Sequence, residues 1–117
     1  MGLGHLNSRM VKTEMHRVVM VTVPNITVGR RLAKVALEAR LVACVNIVSG
    51  VESHYWWQGK LCKDREQMLV MKTTRARLKR LEKLVMDEHP YVTPEFIVLP
   101  ITAGSKKYLD WVRTSVF

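Results

Sequence analysis

The densest chemistry in this 117-residue sequence lies at His89-Pro90-Tyr91, followed closely by Pro94-Glu95. An imidazole, a phenol and a carboxylate fall within seven residues, and the prolines restrict the backbone that carries them. His89 and Glu95 have the donor types of a site for a borderline metal ion. The same residues also make a proline-rich turn in which a histidine at a helix end meets the helix dipole. Residue types alone leave both readings open. A second group is Tyr55-Trp56-Trp57. Strand alternation puts Tyr55 and Trp57 on one face and Trp56 on the other. Large aromatics on both faces point to contact with another subunit. A stacking platform for bases or a small ligand is the sharper alternative. Cys44 sits in an apolar run and reads as a buried, inert thiol. Cys62 lies near a charged turn and reads as a free surface cysteine, with a reactive or metal-binding role as the alternative.

The composition narrows the function classes. There is no G-x-S-x-G, no P-loop and no H-E-x-x-H, and no spacing of Ser, His and acids defines a triad. The chain therefore reads as a binding protein and not an enzyme. Two cysteines are too few for a disulfide framework and have no zinc spacing. No apolar run approaches the roughly 20 residues of a membrane helix. Residues 1–16 are polar and mixed, without the apolar segment of a secretory signal. They read as a loose N-terminal arm or leader, with Met10 and Met15 as alternative starts, ahead of one domain over 17–117. Without an export signal, the reducing cytoplasm is the expected location. Nineteen Lys and Arg against ten acids give a net charge of +9, which attracts polyanions. A basic module for an anionic partner or nucleic acid is thus an alternative function.

These side chains need elements to position them. Arg17 to Val23 is apolar and β-branched, a buried central strand. Thr27 is placed to cap a helix in which Val28, Leu32, Val35, Ala36 and Ala39 form an apolar stripe. Ala43 to Val48 is a second strand. Ser49-Gly50 marks a bend or bulge, Val51 to Trp57 continues extended, and Gln58-Gly59-Lys60 is a hairpin turn. Glu66 to Thr73 is a third strand, and Thr73 or Thr74 caps a second helix that Pro90 stops. Glu95 to Ile101 is a fourth strand, and a short helix follows from about Ser105 to Thr114. The order β-α-β-β-α-β plus a terminal helix is an α+β, ferredoxin-like split βαβ sandwich. The second strand is too long for a small sheet, and its exposed edge invites another subunit. RNA-recognition domains of this fold carry stacking aromatics on the first and third strands. Neither strand here has one, which argues against nucleic acid.

Taken together, Leu41-Val42-Ala43-Cys44-Val45-Asn46-Ile47-Val48, Tyr55-Trp56-Trp57-Gln58-Gly59-Lys60, Met71-Lys72-Thr73, His89-Pro90-Tyr91 with Pro94-Glu95, and Tyr108-Leu109-Asp110-Trp111 resemble the CutA divalent-cation tolerance family. Thr22-Val23-Pro24-Asn25 fits it too. The resemblance covers about Arg17 to Arg113. It implies a tight homotrimer similar to the PII signalling proteins, tolerance to divalent cations and copper in particular, a sensor or adaptor role, and no established enzymatic activity. No cofactor is obligatory, with copper or another divalent cation as the candidate ligand. Carried onto this chain, the resemblance makes His89 the metal ligand, with Glu95 beside it. It places Asn46, Trp57, Glu66, Lys72 and Tyr91 along an inter-subunit cleft. Tyr55 and Trp56 fall to trimer contact. Some members carry a cysteine late in the first strand and a second histidine before the one preceding proline. Here those positions read Met20-Val21-Thr22 and Glu88.

Overall fold

A computed structural model describes residues 9–117. Its main sheet has four antiparallel strands: β2 (His16–Val23), β3 (Cys44–Trp57), β4 (Lys60–Thr74) and β5 (Ile97–Pro100), in the order β3-β4-β2-β5. Helices α1 (Ile26–Glu38) and α2 (Leu78–Glu88) connect them in the split βαβ manner. A second, two-stranded sheet pairs β1 (Met10–Lys12) with β6 (Ala103–Ser105), and α3 (Lys106–Ser115) follows. Part of the segment expected to be a loose arm is thus paired from Met10 on. Residues 1–8 lie outside the described residues.

Alternation decides which sheet face is covered. Val19, Val21 and Val23 of β2 lie beside Leu69 and Met71 of β4, and all are fully buried. Leu32 and Ala36 of α1 and Leu81 and Val85 of α2 close over them. Gly29 lets α1 approach: a Cβ there would meet Leu69 and Val23 side chains at 3.3 Å. The other face carries Val18 and Met20 of β2, Met68 and Val70 of β4, Val48 of β3, and Ile97 and Leu99 of β5. Ile97, Leu99 and Val48 are between 44% and 49% exposed.

Several local expectations shift. Asn25, not Thr27, caps α1: its side chain accepts from the Val28 N–H at 2.9 Å. Neither Thr73 nor Thr74 caps α2. Thr73 is fully buried and donates its hydroxyl to the Leu41 carbonyl at 2.6 Å, while a 3-10 turn over Arg75–Arg77 precedes the helix. The third strand is twice as long as its apolar run: β4 starts at Lys60 and pairs along the whole of β3. The register breaks between Val48 and Val51, at the anticipated bulge, where Gly50 has φ of +77°. Beyond it the two strands run as a ribbon to a two-residue turn. Gln58 and Gly59 both have positive φ there, the primed geometry that matches strand twist. The fourth strand is shorter than expected and begins at Ile97, leaving Glu95 in a loop.

Candidate functional site

A cleft of about 800 Å³ opens between the ribbon and the loop that follows α2. That loop exists because of Pro90. A residue before proline is held away from helical backbone, and His89 sits at φ −79°, ψ 135°. Its N–H still closes the last helical bond, to the Val85 carbonyl at 2.9 Å, and the chain then turns out. The His89 ring is 7% exposed and bonded at both nitrogens. Nε2 donates to the Thr22 carbonyl at 2.7 Å, and Nδ1 accepts from the Tyr91 N–H at 3.1 Å. An acceptor on one side and a donor on the other select the tautomer with hydrogen on Nε2. The ring lies against Tyr91, with centroids 4.7 Å apart. His89 thus ties the loop to the end of β2. To hold a metal it would have to give up one of these two bonds.

What reaches the cleft is Tyr91. Its hydroxyl donates to a Glu66 carboxylate oxygen at 2.9 Å. Burial first, and then this bond, push the phenol well above its usual range. Glu66 is only 6% exposed although it carries a carboxylate. Alternation alone would leave it on the uncovered sheet face, and the loop after α2 covers it there through Tyr91. Glu66 shares the face of Met68 and Val70 and pairs with Val51 where the ribbon leaves the sheet. Glu95 lines the same cleft, and its carboxyl is raised by burial and then by the Glu66 charge. No Lys or Arg among the described residues makes an ion pair with either acid. The ribbon supplies the opposite wall through Ser53, His54, Tyr55, Trp56 and Trp57. Tyr55 donates its hydroxyl to Asp64, and that bond pushes it up to about 12.

The structure therefore brings together Tyr55, Trp56, Trp57, Glu66, Tyr91 and Glu95. His89 stands behind the wall and does not line it. Asn46 and Lys72 lie elsewhere. The Lys72 ammonium donates to the Asn46 side-chain oxygen on the uncovered sheet face. Lys72 is six residues along β4 from Glu66, about 20 Å at strand rise. Within one chain these two do not reach the cleft. Cys44 contacts the Tyr108 hydroxyl at 3.6 Å, and Cys62 lies near the ribbon tip opposite Tyr55. Neither lines the cleft. Pro90, Val92, Thr22, Ser53, His54 and Thr93 complete the lining, and the last four were missed in the sequence. Ser53 shares a strand face with Tyr55 and Trp57, so alternation alone could have found it. Thr22 gave no such signal.

Comparison with known proteins settles the family. The sequence pattern of the CutA1 divalent ion tolerance protein matches residues 17–115. This chain belongs to that family. It is 48% identical over 99 residues to the divalent-cation tolerance protein CutA of Thermus thermophilus, covering 85% of this chain and 96% of that one. It is 49% identical over 98 residues to the chloroplastic protein CutA 1 of rice, covering 84% of this chain and 55% of the rice protein. The solved structure of CutA from Synechococcus elongatus superposes with a TM-score of 0.89 at 37% identity, covering 94% of this chain and 97% of that one. The ferredoxin-like architecture is accordingly that of CutA1 structures. No helix among the described residues is long and apolar enough to cross a membrane.

Proposed function

We propose that this protein is a homotrimeric, cation-responsive adaptor of the divalent-cation tolerance family, working in the cytoplasm. The observation that carries the reading is Glu66. A buried carboxylate with one phenolic hydrogen bond opens beside Glu95 into a cleft, and neither acid has a cationic partner among the described residues. Buried charges are ordinarily paired or coordinated. Self-association is supported by the apolar, uncovered sheet face and by Trp56 and Leu61, opposed on the ribbon and about 70% exposed. The cytoplasmic assignment is supported by Cys44 and Cys62, which are free thiols set far apart, one at the start of β3 in the sheet and the other near the ribbon tip.

The donor chemistry bears on copper. Glu66 and Glu95 supply oxygen, which suits hard and borderline divalent ions, whereas copper(I) prefers thiolate. Copper(I) therefore fits this cleft poorly, and a weakly held divalent ion fits it better. The role proposed is binding, in which the two phenols serve the cleft as hydrogen-bond donors to Glu66 and Asp64. Binding would change the posture of the loop or ribbon, the surface a partner reads. A basic module for polyanions has less support, since Arg31, Lys34 and Lys83 on the helices already face Glu88, Glu38 and Asp87. Calorimetric titration with copper(II), zinc and manganese ions tests the reading. Binding that is lost in Glu66→Gln and kept in His89→Gln is expected, and unchanged isotherms in both variants would remove the cleft from the account.

A further inference from the structure

We propose that the end of the sheet opposite the ribbon is a docking surface for an anionic phospholipid bilayer. Cations around β1 and the start of α2 meet the lipid headgroups, and Met10 and Met15 enter the apolar boundary beneath them. The inference does not rest on the cleft.

The first observation is where the charge sits. Backbone bonds bring three segments to this end. β1 runs beside β6, where the Lys106 N–H donates to the Arg9 carbonyl at 2.7 Å and the Thr13 N–H to the Thr102 carbonyl at 3.0 Å. The Arg75 N–H donates to the Met15 carbonyl at 2.7 Å, which sets the 3-10 turn and the start of α2 beside the same bend. Residues 9–17, 75–80 and 102–110 together hold nine Lys and Arg against two acids, Glu14 and Asp110. That is +7 of the chain's total of +9, and the remainder has ten Lys and Arg against eight acids. Arg31, Lys34 and Lys83 on the helices are ion-paired, whereas Lys12, Arg17, Arg75 and Lys79 make no ion pair among the described residues. Charge placed this unevenly gives the molecule a positive pole that draws it toward anionic surfaces.

The second observation is apolar exposure within that pole. Met10 is 76% exposed and Met15 42%. On β1, Val11 stands opposite Gly104, where a Cβ would meet the Leu109 side chain of α3 at 3.2 Å. Alternation therefore turns Met10 and Lys12 to the outer side, away from α3. Apolar side chains set among cations suit a bilayer surface: charge brings the protein in, and the apolar atoms hold it at the boundary. A nucleic acid would gain little from methionine and more from stacking rings. Tyr108 is the one Phe, Tyr or Trp of the three segments, and its hydroxyl is engaged with Cys44 at 3.6 Å. This end is also distinct from the sheet face that the proposed trimer buries. Residues 75–80 belong to the helical layer on the opposite face, and β1 precedes residues 17–115, the span of the family pattern.

The test is co-sedimentation of the full chain with vesicles of phosphatidylcholine alone and of phosphatidylcholine mixed with phosphatidylserine. At about 0.1 M salt the mixed vesicles are expected to bind at least about tenfold more tightly, and at about 0.5 M salt that binding should fall at least about tenfold. Lys12→Glu combined with Arg75→Glu is expected to lose about tenfold or more, since each cation near an anionic bilayer contributes about fivefold. Lys34→Glu combined with Lys83→Glu changes the net charge equally but away from this end, and is expected to lose less than about threefold. Met10→Ser combined with Met15→Ser is expected to weaken vesicle binding about fivefold. No binding to the mixed vesicles overturns the proposal, as does equal binding to both kinds. Equal losses in the two charge-reversed variants overturn the assignment to this end. A DNA duplex bound as tightly as the mixed vesicles, with the methionine variant binding vesicles like the wild type, overturns the bilayer in favour of a general polyanion surface. The lipid and salt comparisons use the unmutated protein and stand even if a variant fails to fold.

Discussion

Two side chains in the loop after α2 take opposite parts, and substitution separates them. His89 is a structural bridge between the Thr22 carbonyl and the Tyr91 N–H. His89→Ala leaves both backbone groups without their partner, and each buried orphan costs about 1–3 kcal/mol. Urea denaturation at fixed protein concentration should show a loss of about 2–3 kcal/mol, the same with and without chelator. A role as metal ligand would instead make the loss vanish in chelator. Glu95 acts through charge. Its carboxyl is raised by burial and by Glu66, so the folded state holds that proton more tightly than the unfolded chain does. Stability from this group is therefore fullest below the unfolded value and declines as pH rises through the raised one. Glu95→Gln removes the decline. Thermal melts from about pH 4 to pH 7 should show the wild type losing ground to Glu95→Gln as pH rises, with the variant melting higher at neutrality.

At the scale of elements, the main strands and helices were legible because their periodicities are strong, and the failures have local causes. The stripe of Val28, Leu32, Val35 and Ala36 identified α1, but its start was misplaced by two residues. Two side chains capable of capping stand near each other, and only the backbone decides between them. Asn25 sits at φ −158°, ψ 170° and bonds the Val28 N–H. Asn25→Ala should accordingly cost about 1 kcal/mol, while Thr27→Ala, exposed inside the first turn, should be near neutral, as chemical denaturation of both variants will show. The first half of β4 escaped notice for a different reason. Lys60 to Arg65 is polar and charged, and its strand state comes from pairing with β3 and not from any apolar alternation. The ribbon was therefore half invisible, although its turn residues Gln58-Gly59 were plain. The cleft shows the same division. Tyr91, Glu66 and the aromatics stood out by type, but the bond between Glu66 and Tyr91 joins residues 25 apart in sequence, and no spacing encodes it. His89 misled because an imidazole beside proline looks available until the Thr22 carbonyl, 67 residues away, is seen to hold it.

The whole molecule is longer than its core requires, measuring 51 Å by 25 Å by 24 Å. The ribbon extends beyond the sheet, and the sheet beneath it is covered by α1 and α2 on one face only. Val70 lies in the middle of the uncovered face, between Met20 and Asn46 on the neighbouring strands. In an isolated chain a lysine there would reach water and leave the fold intact, since strands tolerate polar residues on a solvated face. In an assembly that buries this face, the same lysine would bring an unpaired ammonium into an apolar contact, at a cost large enough to separate subunits. Light scattering is therefore expected to give about three times the 13.5 kDa chain mass for the wild type and close to a single chain for Val70→Lys. Lys79→Glu, on the exposed side of α2, should leave the mass of the assembly unchanged. A wild type at 13.5 kDa would sink the trimer, and it would leave Asn46 and Lys72 with no route to the cleft. Both stand at the uncovered face, Lys72 about 20 Å along β4 from Glu66 and Asn46 on β3 opposite Val70, about 13 Å along, so only a neighbouring chain could bring their surface against it.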